Sequence, residues 1–195
     1  MTGTNVARDF VELPSQLMEN WAFEPQWLQP FARHWQSGEP IPDALVQRLV
    51  AARNYQAAYF QVRQLRFGLL DLAWHTLREE IPGQAGDDVT ALESAALADF
   101  AVLPDIPGTC ISTAFSHIFS GGYSAGYYSY KWAEVLEADA FSLFREKGIF
   151  SREVAASFRE NVLSKGGSED EAVLYRRFRG HEPDPQALLD KLEIH

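Results

Sequence analysis

The sequence predicts an all-α fold, and three observations indicate it. Apolar residues recur at helical spacing along most of the chain, no segment shows the alternating pattern of a half-buried strand, and proline and glycine separate the periodic segments. The chain has 195 residues, which is enough for one substantial core. We therefore expect a single all-α unit over residues 1–195.

The first two helices are predicted over residues 8–21 and 24–36, and the composition of residues 37–43 predicts a turn after them. Three prolines open or interrupt these helices: Pro14, Pro25 and Pro30.

A longer periodic stretch runs from Asp43 to Glu80 without proline and with one glycine, Gly68. It forms either one long helix or two helices in series that are broken near Gly68, because glycine lowers helix stability. The segment IPGQAGDD, residues 81–88, ends it.

The second half of the chain is predicted to contain helices over residues 88–102, 121–147 and 185–193, and a short extended piece at residues 109–113. Gly148 ends the longest of these helices.

Two further helix starts are signalled by capping residues. Ser151 can cap the helix that follows it, and Ser168 with Glu171 has the S-x-x-E spacing of a capping box before the segment EDEAVLYRRF.

Charge and composition exclude several classes of function. The 27 acidic and 17 basic residues give a net charge of −10, and the only basic run is the short YRRFRG, so nucleic acid is not an expected partner. No stretch is long and apolar enough to span a membrane. One cysteine, Cys110, cannot form an internal disulfide, which fits a reducing cytoplasm. We expect a soluble, cytoplasmic protein.

Tyrosines are concentrated in the segment HIFSGGYSAGYYSYKW, residues 117–132. If the segment is helical from residue 121, Tyr123, Tyr127 and Tyr130 lie at positions i, i+4 and i+7, so their hydroxyls line one face. A single tyrosine is more often a packing residue than a ligand-binding one. Three on one stripe beside flexible glycines favour a pocket lined by phenols, which His117 can join.

Two aromatic residues of the same segment belong to the other side of the predicted helix. Tyr128 and Trp132 are expected to lie opposite the tyrosine stripe and to serve the core.

Carboxylates in the segment RDFVELPSQLMENW have two interpretations. Asp9 and Glu12 have the spacing of a D-x-x-E capping box, and spacing alone favours this structural role. Pro14, however, would remove a hydrogen bond from a helix begun at Asp9. Since Glu12, Gln16 and Glu19 lie at i, i+4 and i+7, Glu12 can instead bind a metal while Gln16 orients it.

Four segments closely resemble the C-terminal part of the thimet oligopeptidase family (M3) of zinc metallopeptidases. They are GTNVARDFVELPSQLMENWAFEP, NYQAAYFQVRQLRFGLLDL, FSHIFSGGYSAGYYSYKWAEVLEADAF and LSKGGSEDEAVLYRRFRGHEPDPQALL. The resemblance covers nearly the whole chain. It implies the multi-helical C-terminal part of a gluzincin-type catalytic domain.

The resemblance also implies a zinc ion as cofactor. In the family, two histidines of an H-E-x-x-H helix and one later glutamate hold the zinc, and that glutamate matches Glu12, with Asp9 and Gln16 beside it in the sequence. None of the five histidines of this chain forms H-E-x-x-H. We therefore expect a fragment that lacks the N-terminal part of the enzyme, offers one zinc ligand and is inactive alone.

The family's substrate-binding and catalytic residues match the tyrosine segment. The resemblance assigns stabilisation of the oxyanion first to Tyr130 and second to His117. It implies that Tyr123 and Tyr127 bind the backbone of the substrate, together with the glycines of the loop before them, Gly121 and Gly122.

Two classes of function stay open at this point. One is a zinc-dependent oligopeptidase that cuts internal bonds of short peptides. The other is a non-catalytic all-α module that binds peptides or packs against the missing N-terminal part. A carbohydrate-binding aromatic surface is supported only by the tyrosines.

Overall fold

The computed structural model describes residues 4–81 and 86–194, which fall into two compact units. Unit 1 comprises residues 1–57 and 132–195 of the chain, and unit 2 comprises residues 58–131. Over the described ranges the structure consists of helices and turns without a strand, apart from one bridge between Arg33 and Pro40. The predicted all-α class is confirmed, and the single unit stays a prediction.

Nine α-helices occur in the described residues: α1 (Leu13–Glu19), α2 (Pro25–Leu28), α3 (Asp43–Asn54), α4 (Ala57–His75), α5 (Gly86–Leu97), α6 (Tyr128–Lys147), α7 (Arg152–Phe158), α8 (Glu171–Arg179) and α9 (Gln186–Leu192). None of these helices combines the length and the apolar character needed to cross a bilayer.

The predicted start of the first helix is wrong. Residues 8–12 form turns, and α1 begins at Leu13, so that Pro14 occupies its first turn. The first amides of a helix have no partner within it, so a proline costs no hydrogen bond there. A short 3₁₀ segment, Asn20–Phe23, completes the predicted range.

The predicted second helix is too long. α2 begins at Pro25 but ends at Leu28, and residues 29–36 form turns and the bridge at Arg33. Pro30 has no backbone N–H to continue the helical hydrogen bonds, which accounts for the early end although Gln29 keeps helical backbone angles.

The long periodic stretch is two helices, but the predicted position of the break is wrong. The chain leaves α3 at Tyr55 and Gln56, and Gln56 has a left-handed φ of 57°. Gly68 lies inside α4, where a Cβ atom would be 3.9 Å from the backbone of Tyr128. Half of the predicted terminating segment, residues 82–85, lies outside the described residues.

No strand forms at residues 109–113, where a short extended piece was predicted: residues 109 and 110 have no regular structure, and residues 111–113 form a bend and a turn. Helix α5 and a 3₁₀ turn, Ala98–Phe100, precede them and account for the helix predicted over residues 88–102. The backbone amides of Ile111 and Ser112 donate to the Glu93 carboxylate of α5 at 2.9 and 2.8 Å. These amides are therefore bonded to a side chain and not to the backbone of a neighbouring strand.

The predicted start of the long helix at residue 121 is wrong. Residues 121–127 form turns, and α6 begins at Tyr128. Its predicted end is confirmed, since α6 stops at Lys147 and Gly148 adopts a left-handed φ of 100°.

One of the two capping predictions is confirmed. Ser151 Oγ accepts a hydrogen bond from Val154 N before α7. The capping box at Ser168 is wrong, because Asp170 caps α8 by accepting from Val173 N at 3.2 Å. Glu171 instead accepts from the backbone amide of Ala7 at 2.9 Å.

The core of unit 1 is an apolar cluster built from α1, α6, α7 and α8. It contains the phenol Tyr175, which is 1% exposed and donates its one hydrogen to Asp139 Oδ2 at 2.6 Å, with Leu136 O as a second acceptor at 3.0 Å. Burial and the bond to Asp139 raise the pKa of Tyr175, so it remains a donor at any physiological pH.

The core of unit 2 is a smaller cluster of Leu70, Leu97, Phe115 and Ile118. Phe67 and Tyr127 pack against it from its edge. This cluster joins α4 to the turns around residue 117, and those turns carry the candidate site.

Candidate functional site

His117 and Tyr130 form the centre of the candidate site in unit 2. His117 belongs to a 3₁₀ turn, Ser116–Ile118, which is anchored by the completely buried Ile118. Tyr130 lies in the first turn of α6. The Tyr130 hydroxyl is 3.4 Å from His117 Nε2, so the two groups share one hydrogen bond.

Two more tyrosines complete what we call the tyrosine cluster: His117, Tyr123, Tyr127 and Tyr130. Tyr123 stacks on Tyr130 with ring centroids 5.0 Å apart, and the Tyr127 ring is 5.1 Å from that of Tyr130. The His117 ring lies 5.2 Å from Tyr123 and 5.5 Å from Tyr127. All four side chains are half-buried, so the cluster remains accessible.

The helical stripe proposed from the sequence does not produce this cluster. Tyr123 and Tyr127 precede α6 and are brought to Tyr130 by a turn, in which Gly126 N donates to Tyr123 O at 2.8 Å. The sequence predicted the right residues, but a folded turn rather than a helical face brings them together.

Gly121 and Gly122 give the chain a sharp bend before the tyrosines. Their φ angles are 74° and 77°, in the left-handed region that favours glycine. At Gly121 a Cβ atom would also lie 3.4 Å from the ring of Tyr123. The backbone conformation therefore favours glycine at both positions, and their exposed backbone lies beside the cluster.

Tyr127 is the most embedded phenol of the cluster. Its ring packs edge-on against Phe115 and Phe67, with centroids 4.7 and 5.6 Å away, and its hydroxyl donates to Gln64 Oε1 at 3.1 Å. Sequence reasoning missed Gln64, which no motif marks.

Tyr128 and Trp132 do not serve the core as expected. They are 49% and 40% exposed, whereas the next residues in the sequence, Ser129 and Ala133, are completely buried. The prediction was wrong because the buried face of α6 passes through Ser129 and Ala133 and not through Tyr128 and Trp132.

Asp71 is a second residue that sequence reasoning missed. It is 1% exposed and accepts hydrogen bonds from the backbone amides of Ala125, at 3.0 Å, and Tyr127, at 2.9 Å. His75, one turn along α4, places Nδ1 3.1 Å from Asp71 Oδ1. A carboxylate within the apolar segment FGLLDLAW was the available signal, since buried charges need partners.

Glu12 lies in unit 1, at the position just before α1. The capping box is not formed, because the helix begins three residues too late for Asp9 to cap it. Ser15 Oγ donates to the Glu12 carboxylate at 3.2 Å, and Gln16 N donates to Glu12 O at 3.0 Å. The backbone of Glu12 is already helical, so Glu12, Gln16 and Glu19 do share one face.

A complete metal site is not formed by the residues that the structure describes. Among them no group of three histidine, cysteine, aspartate or glutamate side chains is placed to hold a metal ion. A catalytic zinc site has three protein ligands. The half-buried carboxylate of Glu12 fits one of these positions, and the remaining ligands would have to be supplied from outside the described residues.

Comparison with known proteins bears on all these residues. The model of peptidase family M3 matches residues 1–194. Oligopeptidase A of Escherichia coli is 50% identical over 191 residues, which cover 98% of this chain and 28% of that protein. Oligopeptidase A of Salmonella typhimurium is 48% identical with the same coverage. Dipeptidyl carboxypeptidase of Escherichia coli is 44% identical over 190 residues. The chain thus spans 28% of the length of these relatives.

Proposed function

The chain belongs to peptidase family M3, and we propose that it is part of a zinc-dependent oligopeptidase that hydrolyses internal bonds of short peptides. The observation that carries this proposal is the tyrosine cluster, in which the Tyr130 hydroxyl and His117 Nε2 lie 3.4 Å apart. The proposal extends to a cytoplasmic location, which fits the single cysteine.

Tyr130 and His117 are proposed to stabilise the oxyanion. Attack of water on a peptide carbonyl places negative charge on its oxygen, and hydrogen-bond donors that are already in position lower the barrier to this step. The Tyr130 hydroxyl has one hydrogen, which it can direct either to His117 Nε2 or to a substrate oxygen. Because the two groups are neighbours, one oxygen can meet both.

The peptide backbone is proposed to bind along the rest of the cluster. Tyr123 offers a half-buried phenol, and Gly121 and Gly122 expose backbone groups without side chains. Tyr127 donates its hydroxyl to Gln64, so its role includes holding the other rings in place. An extended peptide of any sequence can use such contacts, which suits a peptidase acting on varied short substrates.

Zinc is proposed as the cofactor of the whole protein, with Glu12 as one ligand and Asp9 and Gln16 as its neighbours. When bound, such a zinc ion lowers the pKa of a coordinated water and so supplies the nucleophile at neutral pH. This chain contributes the Glu12 carboxylate, which Ser15 Oγ holds at 3.2 Å. The other ligands, and the remaining N-terminal part of the enzyme, are proposed partners of this chain.

A chimeric enzyme tests the proposal. In it, this chain replaces the 191 matching residues of Escherichia coli oligopeptidase A, to which it is 50% identical. We expect the chimera to bind zinc and to cleave an internally quenched peptide that is blocked at both ends. Cleavage of the blocked peptide also distinguishes an endopeptidase from a dipeptidyl carboxypeptidase, which needs a free C-terminus.

Two results would contradict the proposal. A folded, zinc-loaded chimera that leaves every peptide intact would show that this chain cannot supply the catalytic donors. If that chimera still bound peptides, the non-catalytic peptide-binding module would be the better interpretation. The unmodified Escherichia coli protein, purified in parallel, provides the reference rate.

A further inference from the structure

We propose that Asp71 is a positioning residue for the tyrosine cluster: its buried carboxylate fixes the turn that carries Tyr123 and Tyr127, and His75 fixes the carboxylate. The catalytic consequence of this inference rests on the proposed function. The structural part of the inference, that Asp71 fixes the position of the turn, does not rest on that function, because it concerns only hydrogen bonds within unit 2.

Both oxygens of the Asp71 carboxylate hold the same turn. Oδ1 accepts from the backbone amide of Ala125 at 3.0 Å, and Oδ2 accepts from that of Tyr127 at 2.9 Å. The bonds join α4 to residues 54 and 56 positions further along the chain. Two bonds from one rigid group fix both the position and the orientation of the backbone between them.

A carboxylate is suited to this place for two reasons. The amide of Tyr127 directly precedes α6, where the first amides lack partners in the helix and where negative charge is favourable. Ala125 has a φ of 53°, which is unfavourable for a residue with a Cβ atom. A charge-assisted hydrogen bond to its amide offsets that cost.

His75 also contacts the Asp71 carboxylate. Its Nδ1 is 3.1 Å from Asp71 Oδ1 and 2.8 Å from Asp71 O. Both are acceptors, so Nδ1 carries the hydrogen and the ring is oriented by two bonds. The rings of His75 and Trp74 also flank Phe119, each with its centroid 5.7 Å away. The turn of α4 from Asp71 to His75 thus carries the carboxylate and also contacts the residues that follow His117.

Further hydrogen bonds connect the positioned turn to the three tyrosines of the cluster and to the residue that follows His117. Gly126 N donates to Tyr123 O at 2.8 Å, and Tyr130 N donates to Tyr127 O at 3.2 Å. Ser124 Oγ donates to Ile118 O at 2.8 Å, which ties the turn to the residue after His117. Loss of the Asp71 bonds would therefore loosen the phenols relative to His117.

Hydrogen exchange on the 195-residue chain tests the structural part. Asp71→Asn keeps the size of the side chain but replaces one acceptor by an NH₂ group, so one of the two loop amides loses its partner. We expect that amide, Ala125 or Tyr127, to exchange about tenfold faster or more, as befits a lost bond to a charged group.

Glu93→Gln is the matched control. Glu93 is another helix carboxylate of unit 2 that accepts from two loop amides, those of Ile111 and Ser112. This variant should speed exchange at one of those two amides and leave Ala125 and Tyr127 unchanged. Equal acceleration at all four amides in both variants would mean general loosening and would overturn the inference.

Kinetics of the chimeric enzyme tests the catalytic part. Asp71→Asn should lower kcat about tenfold or more and raise KM as well, because the loosened turn shifts Tyr123 and Tyr127, which are proposed to contact the peptide, relative to Tyr130 and His117. Glu93→Gln should keep kcat within twofold. Faster exchange at Ala125 or Tyr127 with an unchanged kcat would show that Asp71 is only structural, and would overturn the inference.

A second variant decides the question if Asp71→Asn does not fold. His75→Phe keeps a ring against Phe119 but removes the bond to Asp71, so exchange at Ala125 and Tyr127 and kcat should shift in the same directions by smaller factors. No shift in either would overturn the inference. A chimera that is inactive with Asp71 intact would instead contradict the proposed function, while the exchange data would still decide the structural part.

Discussion

The Tyr130 hydroxyl lies 3.4 Å from His117 Nε2, although the two residues belong to different helical segments thirteen positions apart. Tyr130 also stacks on Tyr123, with the rings inclined by 18°. The donor proposed for the oxyanion is therefore held by a ring on one side and by an imidazole at its tip. Its ring and its hydroxyl can be tested separately.

Tyr130→Phe in the chimeric enzyme keeps the stacked ring and deletes the hydroxyl. We expect kcat to fall about a hundredfold with little change in KM or in melting temperature, because the lost hydrogen bond acts on the transition state. Tyr128→Phe is the control, since Tyr128 is also in the first turn of α6 but is 49% exposed. Equal, near-normal rates for both variants would assign the tyrosines to packing alone.

Helix content could be predicted from the sequence because apolar spacing and proline are local signals. Two of the errors concern places where the chain bends without a glycine or proline. Gln56 and Ala125 adopt φ angles of 57° and 53°, a conformation that their residue types disfavour. Gly68, which favoured a break, remains helical. Tertiary contacts decide such positions, and local propensity does not encode them.

The candidate site was predicted in part for a similar reason. Motif resemblance identified the tyrosines and His117, whose side chains we propose to carry the chemistry. It did not identify Asp71, which acts through backbone amides 54 and 56 positions away. Pairings of this kind depend on the fold, and a single sequence shows only that a carboxylate interrupts an apolar helix face.

Glu12→Gln in the chimeric enzyme should abolish tight zinc binding and leave the melting temperature of the zinc-free protein within a few degrees. The amide keeps the shape of the side chain but is a poor zinc ligand, and the helix begins after Glu12 without a side-chain cap from it. Zinc content measured by mass spectrometry, and thermal melts with and without chelator, check this.

Glu19→Gln is the control for that measurement. Glu19 shares the helical face of Glu12 and is exposed, so removal of its charge should leave zinc binding unchanged. Retention of stoichiometric zinc by Glu12→Gln would refute the assignment of Glu12 as a ligand.

The isolated 195-residue chain should bind no stoichiometric zinc and cleave no peptide, because no three side chains among the residues that the structure describes are placed to hold a metal ion, and a catalytic zinc site needs three. Metal analysis of the purified chain and a quenched-peptide assay with added zinc provide the measurement. Tight zinc binding that is lost in Glu12→Gln would be the opposite result, and would mean that other residues of this chain complete the site.

The pH dependence of stability should include a contribution from Glu93. Partial burial opposes its ionisation, but hydrogen bonds from Ile111 N, Ser112 N and Ser112 Oγ outweigh burial and hold the pKa of Glu93 below its ordinary value of 4.5. The ionised form is therefore favoured in the folded state. Its stabilisation is present above the ordinary pKa and is lost as the pH falls through the lowered one.

Glu93→Gln should remove this contribution. The difference in denaturation midpoint between the normal chain and the variant should be constant above pH 5 and shrink as the pH falls below the ordinary pKa. Urea denaturation at several pH values, followed by circular dichroism, measures it. A difference that does not change with pH would show that the Glu93 carboxylate is not preferentially ionised in the folded chain.

Gly167 and Gly68 should respond to alanine in opposite ways. At Gly167 a Cβ atom would lie 2.2 Å from the backbone oxygen of Asn5, which is far inside the contact distance, so the N-terminal segment must move away from residue 167. Gly167→Ala should therefore lower the free energy of unfolding by about 1–3 kcal/mol.

At Gly68, inside α4, the atoms nearest to an added Cβ would be 3.9 Å away, which is ordinary contact. Gly68→Ala should raise the free energy of unfolding by about 0.5–1 kcal/mol, since alanine loses less backbone entropy in a helix. Chemical denaturation of both variants beside the normal chain measures the two shifts. Destabilisation by Gly68→Ala would mean that α4 cannot approach Tyr128 as closely once residue 68 carries a side chain.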